Sequence, residues 1–294
     1  MSLEPDIGLI RSLVRSSFPE LSNARVRPVY AGGTDNFLFR IDEDLCLRIA
    51  KSDAAAPSLI NREPSALKTL QDLPLETPEF MARGFLPDPA PAPWVICTWL
   101  DGLDMERAGH PATAEDANRL ALFLLDLQGS GRSLASEPAP DNHWRGTDLA
   151  LRDEPTRLAI RTLSDELDGP RLLDLWDASL AAPACRPEDR TWIHGDVHPA
   201  NLLVRDGKIS GVIDWGLSGL GDPACDLMAA YTVFDAETRS AFARATGATE
   251  STWLRGRGWA LSTAAIALAY YRTGTARVVA RSRHVLGEIL AEAA

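Results

Sequence analysis

In the first hundred residues the apolar positions come in short runs bounded by turn formers. Stretches 26–30, 37–41, 45–49 and 94–99 are rich in Val, Ile, Leu, Phe and Trp and predict β-strands. One stretch departs from this: Leu67, Leu70 and Leu73 recur every three residues and predict a helix over 65–73. Residues 87–93 are a Pro/Ala turn leading into the last of these strands. Beyond residue 100 the period lengthens. Thr113 and Asp116 form a capping pattern, with Asp where Glu or Gln is usual. Leu120, Phe123, Leu124 and Leu127 follow as the apolar stripe of a core-facing helix. Helices are predicted at 155–167, 170–180, 235–246, 253–271 and 276–293, the first two with Pro in the opening turn. Residues 130–145 form a loop placed to border a substrate site. The pattern predicts an α+β chain, with a β-rich part carrying one helix (1–100) and a larger, mainly helical part (101–294).

The richest segment chemically is 192–226, WIHGDVHPANLLVRDGKISGVIDWGLSGLGDPACD. Asp196 follows His194-Gly195, Asn201 lies five residues on, and Asp214 closes the apolar run 209–213. Asp206-Gly207 predicts a two-residue hairpin turn. With that tip, 205 pairs with 208 and 201 with 212. Asn201, Val212 and Asp214 then share one face, Asn201 and Asp214 as diagonal neighbours about 7 Å apart at Cα. Oxygen donors at that separation suit Mg²⁺, which keeps phosphate oxygens and waters as further ligands. Asp196, on the loop entering the hairpin, is the carboxylate left to accept the proton of an attacking hydroxyl.

H-G-D-x-x-x-x-N, followed by I-D-W and G-D-P-x-x-D, resembles the aminoglycoside phosphotransferase family, in particular its large, poorly characterised bacterial branch. The run W-x-R-G-R-G-W-A-L at 253–261 is similar to that branch as well. The resemblance covers nearly the whole chain. It implies a protein-kinase-like fold of two lobes, a small N-terminal β-sheet lobe for the nucleotide (1–100) and a larger helical lobe for catalysis and acceptor (101–294). It implies transfer of the γ-phosphoryl group of ATP to a hydroxyl of a small molecule, with Asp196 catalytic and Asn201 and Asp214 holding Mg²⁺. Gly32, Gly33 and Thr34, between two strands, are expected to approach phosphates through their amides, since Gly lacks Cβ. Arg48 stands where kinase-like folds carry a Lys paired with a helix Glu, here Glu63. Arg keeps the charge but grips phosphate with a different geometry. Lys51 is an alternative, although strand alternation turns it to the opposite face. Pro64 pushes Glu63 away from helical dihedrals, which places Glu63 at a first turn or a kink. The stretch from Thr98 to Leu100 is the expected lobe connector that meets adenine through its backbone.

Other residues divide between support and chemistry. His194 is expected to orient the loop, Asp226 to brace it through backbone amides, and Asp222 to cap a helix or act in the site. His198 either touches substrate or is an idle loop residue. Arg255, Arg257 and Trp259 are expected to serve packing and ion pairs, with a border on the acceptor pocket as the alternative. His194, Asp196 and His198 also admit a zinc-hydrolase reading, which needs a further ligand. A nucleotide-binding scaffold without turnover is a third class. The acceptor itself stays open among aminoglycosides, macrolides, choline, homoserine and sugar amines. Asp141, Asp148, Asp153, Glu154, Glu288 and Glu292 are too dispersed to define a polycation site.

Composition narrows the partners. The 294 residues carry a net charge of −11, against a nucleic-acid footprint, and are 45% hydrophobic, enough for a sizeable core. Cys46, Cys97, Cys185 and Cys225 are scattered, which fits a reducing cytoplasm. No leader pattern opens the chain, and the apolar run 259–271 is too short to span a bilayer.

Overall fold

The computed structural model describes residues 5–30, 36–51, 56, 58–70, 72–86, 91–130, 135–274 and 276–292. Strands β1 (Val26–Pro28), β2 (Asn36–Ile41), β3 (Leu45–Ala50), β4 (Phe80–Phe85) and β5 (Pro93–Thr98) form an antiparallel sheet in the order β1-β2-β3-β5-β4. Alternation along β3 sorts its side chains. Leu47 and Ile49 join Phe39, Ile41, Trp94 and Ile96 in a core closed by Ile10 and Val14 of helix α1 (Ile7–Ser17). Cys46 and Arg48 point to the other face, where helix α2 (Glu63–Thr69) supplies Ala66 and Leu67. Among the described residues this part therefore carries two α-helices rather than the single one expected. The stripe of α1 has only two buried residues, too few to stand out as a period. Strand β4 was missed as well, because Arg83 and Gly84 dilute its apolar character. Helix α2 begins earlier than the periodicity suggested, on a π-helical turn at Ser58–Arg62, and ends where Leu70 turns extended.

The helical lobe starts with β6 (Leu103–Asp104), α3 (Met105–Ala108) and α4 (Ala114–Gly129). The expected capping box is present: Asp116 N donates to Thr113 Oγ1 (3.1 Å) and Thr113 N to Asp116 Oδ2 (3.0 Å). Leu120, Phe123, Leu124 and Leu127 are all buried. Asp116 also accepts the amide of Ile209 at 2.8 Å, so the cap anchors the 202–212 hairpin to α4. Helices α5 (Asp153–Thr162) and α6 (Gly169–Leu180) follow. Strand β7 (Thr191–Ile193) precedes the hairpin of β8 (Leu202–Arg205) and β9 (Lys208–Val212), and β10 (Gly219–Gly221) pairs with β7. Helices α7 (Ala229–Thr232), α8 (Ala236–Thr246), α9 (Glu250–Tyr271) and α10 (Ala276–Glu292) complete the lobe.

Trp176, Trp192, Trp215 and Trp259 are fully buried in its core. Helix α9 lies close to the 3₁₀ segment Pro223–Met228 because Gly256 leaves room: a Cβ there would stand 2.6 Å from that of Leu227. No helix among the described residues is long and apolar enough to cross a membrane.

Candidate active site

The β8–β9 hairpin forms with its tip where Asp206-Gly207 put it, but not in the expected register. Arg205 pairs with Lys208 and Val204 with Ile209, yet Leu203 faces Gly211, so Ser210 is a β-bulge. Leu202, not Asn201, therefore faces Val212. A one-residue slip exchanges the two faces of a strand. The chain compensates at both ends. Asn201 lies outside the strand, in the 3₁₀ turn Pro199–Asn201, and its carbonyl accepts Ile213 N at 3.0 Å. Asp214 is not a strand residue either; it is left-handed (φ 68°, ψ 69°). Asp tolerates that region better than most residues, and such conformations concentrate at functional sites.

The loop before the hairpin is held on every side. Asp226 accepts His194 N and Gly195 N, one on each oxygen, both at 2.7 Å. Thr232 Oγ1 donates to Val197 O at 2.9 Å. Gly195 has φ 81°, and a Cβ on it would sit 2.6 Å from Leu217 O. The buried ring of His194 meets Trp215 edge-on at 4.8 Å. Its Nδ1 accepts Asp196 N (3.2 Å), which leaves Nε2–H to donate to Ile213 O (3.1 Å). Burial pushes His194 toward the neutral form that this arrangement needs. With both ring nitrogens spent on the backbone, His194 cannot join Asp196 and His198 as a zinc ligand.

Asp196 thus projects from a fixed backbone. Asn201 Nδ2 donates to its carbonyl (3.0 Å) and to Oδ2 (3.1 Å). His198 Nε2 lies 3.4 Å from Oδ2, and Arg145 Nη2 lies 3.5 Å from Oδ1. Burial opposes ionisation of Asp196, but His198, Arg145 and His194 outweigh it and hold the carboxyl well below the usual range. It is a carboxylate at any physiological pH.

Across the cleft, Arg48 on β3 forms an ion pair with Glu63 and donates Nη2 to Asp214 Oδ1 at 2.9 Å. Glu63 is fully buried at the junction of the π-turn and α2, immediately before Pro64. Burial disfavours the charge on Arg48, but Glu63 and Asp214 more than offset it, so the guanidinium stays protonated. Lys51 lies over the ring of Phe37, on the side away from Arg48. Thr98 commits its amide to Glu79 O (2.9 Å) and its hydroxyl to Glu79 N (2.8 Å). The amide of Leu100 bonds to no described residue, which leaves it as the connector group open to a ligand. Gly32, Gly33 and Thr34 lie outside the described residues.

The donor set suits a hard cation. Asn201 spends its Nδ2 on Asp196, and its Oδ1 has no donor among the described residues. The Asp214 side chain is 47% exposed. One carboxylate and one amide oxygen are what Mg²⁺ asks of a protein when phosphates complete its sphere.

Several contributors escaped the sequence reading. Arg62 is buried between the lobes, with Nη1 on Ser218 O (3.3 Å), Nη2 on Glu137 O (2.6 Å) and an ion pair to Asp141 (2.8 Å). Arg145 donates Nη1 to Thr263 Oγ1 of α9 at 2.8 Å while facing Asp196. Only the loop character of 130–145 pointed toward it. Asp222 caps Ala224 N (3.0 Å) and also pairs with Arg255. Trp259 is a packing residue, with Arg152 over its ring.

Asp226 yields a pH prediction. Burial pushes its pKa up to about 7, with the two amides and Arg145 pulling the other way. A raised carboxyl pKa contributes stability that is complete below about 4 and is lost as pH rises through 7. Asp226→Asn removes this titration but turns an N–H donor toward a backbone amide. The urea midpoint of the variant is expected below that of the native chain at pH 5, with the gap narrowing by pH 8. A gap that widens with pH would refute this account of Asp226.

A model of the phosphotransferase enzyme family matches residues 26–259. The uncharacterized protein YcbJ of Bacillus subtilis (strain 168) is 24% identical over 176 residues, 55% of this chain and 52% of that protein. Viomycin phosphotransferase of Streptomyces vinaceus is 30% identical over 194 residues, 61% of this chain and 64% of that protein. The chain thus spans between half and two thirds of the curated relatives it matches. Among solved structures, the GDP complex of wild-type aminoglycoside 2'-phosphotransferase-IIIa superposes with a TM-score of 0.70 at 18% identity, covering 99% of this chain and 100% of that one. A ternary complex of a thermostable mutant of APH(4)-Ia with AMP-PNP and hygromycin B gives a TM-score of 0.68 at 16% identity, covering 97% and 99%. At these identities the likeness establishes the two-lobed fold.

Proposed function

This chain belongs to the phosphotransferase enzyme family, and from that premise we propose that it is an ATP-dependent small-molecule kinase, transferring the γ-phosphoryl group to a hydroxyl. One observation carries the reading: Arg48, from the sheet lobe, reaches Asp214, whose chain neighbour Ile213 is bonded to Asn201, which in turn holds Asp196. A phosphate cation, two oxygen ligands and a carboxylate from both lobes converge on one cleft. The nucleotides in the neighbouring structures and the name of the Streptomyces relative support the same class of reaction.

In this reading Leu100 offers its amide to adenine, Arg48 binds phosphate oxygens, and Gly32, Gly33 and Thr34 cover them. Asn201 Oδ1 and Asp214 would hold Mg²⁺, which supplies charge neutralisation at the β- and γ-phosphates. Asp196 accepts a hydrogen bond from the acceptor hydroxyl and aligns its oxygen with the γ-phosphorus. As the new O–P bond forms and the bond to the β-phosphate oxygen breaks, the hydroxyl proton passes to Asp196 and ADP leaves. A carboxylate held this far below its usual pKa is a weak base. Its part is orientation first and proton acceptance late, as a loose transition state allows.

The test is ADP release from Mg-ATP against a panel of hydroxyl-bearing small molecules, with mass spectrometry for one added phosphoryl group. Acceptor-dependent ADP with phosphorylated product is expected. Tight Mg-ATP binding with no turnover on any acceptor would reject the kinase in favour of a nucleotide-binding scaffold.

A further inference from the structure

The floor of the cleft beside Asp196 is cationic. Arg145 and Arg152 bind adjacent residues of α9: Arg145 Nη1 donates to Thr263 Oγ1 (2.8 Å), and Arg152 Nε donates to Ser262 Oγ (2.9 Å). Arg145 also faces Asp196, and its Nε is buried without a partner. Arg152 is largely buried, its guanidinium 5.0 Å above the ring of Trp259. No carboxylate among the described residues pairs with it, and its two terminal nitrogens make no hydrogen bond there, yet they are not sealed from solvent. Burial, and then the neighbouring Arg145, push its pKa down to about 10. A largely buried cation without a counter-ion costs free energy that an incoming anion recovers.

Four of the six dispersed carboxylates that a polycationic acceptor could use are spent elsewhere. Asp141 pairs with Arg62, and Asp153 with Arg157 and Trp176 Nε1. Glu288 pairs with Arg239, and Glu292 accepts Tyr231 Oη at 2.6 Å. Among the described residues Arg152 thus has no carboxylate partner, in a chain whose net charge is −11.

We infer that the acceptor carries an anionic group, a carboxylate or a phosphate, seated by Arg145 and Arg152 against α9 while its hydroxyl meets Asp196. This rests on the kinase reading above for the role of Asp196, but the anion seat can be tested without turnover. Glycerate, glycerol 3-phosphate and glycerol share a hydroxyl-bearing backbone and differ in the anion. They would be titrated into ¹⁵N-arginine-labelled protein with Mg-AMP-PNP, following the Nε–Hε resonances of Arg145 and Arg152. Saturable shifts are expected with at least one anion and none with glycerol; the stronger of the two anions identifies carboxylate or phosphate as the group. Arg152→Met is expected to weaken that anion at least tenfold and Arg152→Lys less, both with unchanged Mg-AMP-PNP affinity as the check on folding. If Arg152→Met does not fold, the native titration decides. Arginine resonances unmoved by either anion, or moved equally by glycerol, would overturn the inference. Failure of Mg-AMP-PNP to bind would instead defeat the kinase reading, and the arginine shifts would still decide the anion seat.

Discussion

Asp196→Asn is expected to lower kcat by about 10²–10⁴-fold, the usual worth of a positioned acid or base, with nucleotide affinity nearly unchanged. The loop backbone is held by Asp226, Thr232 and Asn201, none of which depends on the charge of residue 196: Asn201 Nδ2 still has the Asp196 carbonyl at 3.0 Å. The amide keeps the volume but cannot take a proton. His198 and Asn201 face one oxygen of Asp196 and Arg145 the other, so the amide keeps its oxygen toward the first pair and turns its NH₂ toward Arg145, the longer contact at 3.5 Å. Comparing single-turnover rates with Mg-ATP affinity separates the two effects. If both fell together, Asp196 would be holding the cleft together rather than aligning the acceptor.

Arg255→Met is expected to cost about 3–5 kcal/mol of stability, the range for removing one partner of a buried ion pair. Arg255 grips Asp222 with two bonds, Nε to Oδ2 at 2.6 Å and Nη2 to Oδ1 at 3.1 Å, and both side chains are buried. Its third contact, Nη1 to Pro183 O at 2.7 Å, ties α9 to the end of α6. Met matches much of the bulk but strands the carboxylate of Asp222. That carboxylate caps the segment carrying Asp226, so lost stability should be accompanied by loosening of the loop 194–201. Asp222→Asn in the same chain removes the stranded charge and should recover part of the loss. Urea unfolding of the single and double variants checks this, and a single-variant loss below ~0.5 kcal/mol, the usual range of a surface change, would sink it.

Local chemistry was legible in the sequence where the chain itself brings residues together. His194, Asp196 and Asn201 share one loop, so spacing alone assembles them, and the capping box at Thr113 is local in the same sense. Asp226 reaching back to the loop amides followed from the family pattern, and the two-lobed fold from the switch of period near residue 100. The hairpin failed at a particular place. The Asp-Gly tip held, but bulging of Ser210 is decided by Asp116 and Glu76, which bond to Ile209 N and Val212 N from elsewhere in the fold. No hydropathy pattern encodes that. Arg62, Arg145 and Arg152 were invisible for the same reason: their partners lie 51 to 156 residues away, and an arginine in a loop or at a helix start carries no motif.

Helix α9 carries several of these contacts on neighbouring turns. Arg255 holds Asp222, Gly256 admits Leu227, Trp259 underlies Arg152, and Ser262 and Thr263 receive the two arginines. One rod supports both the segment that braces the loop 194–201 and the arginines beside Asp196, so a substitution there cannot change one without disturbing the other. Drift toward a new acceptor is therefore channelled away from α9. The exposed face of α10 is where this scaffold can diversify without losing its fold.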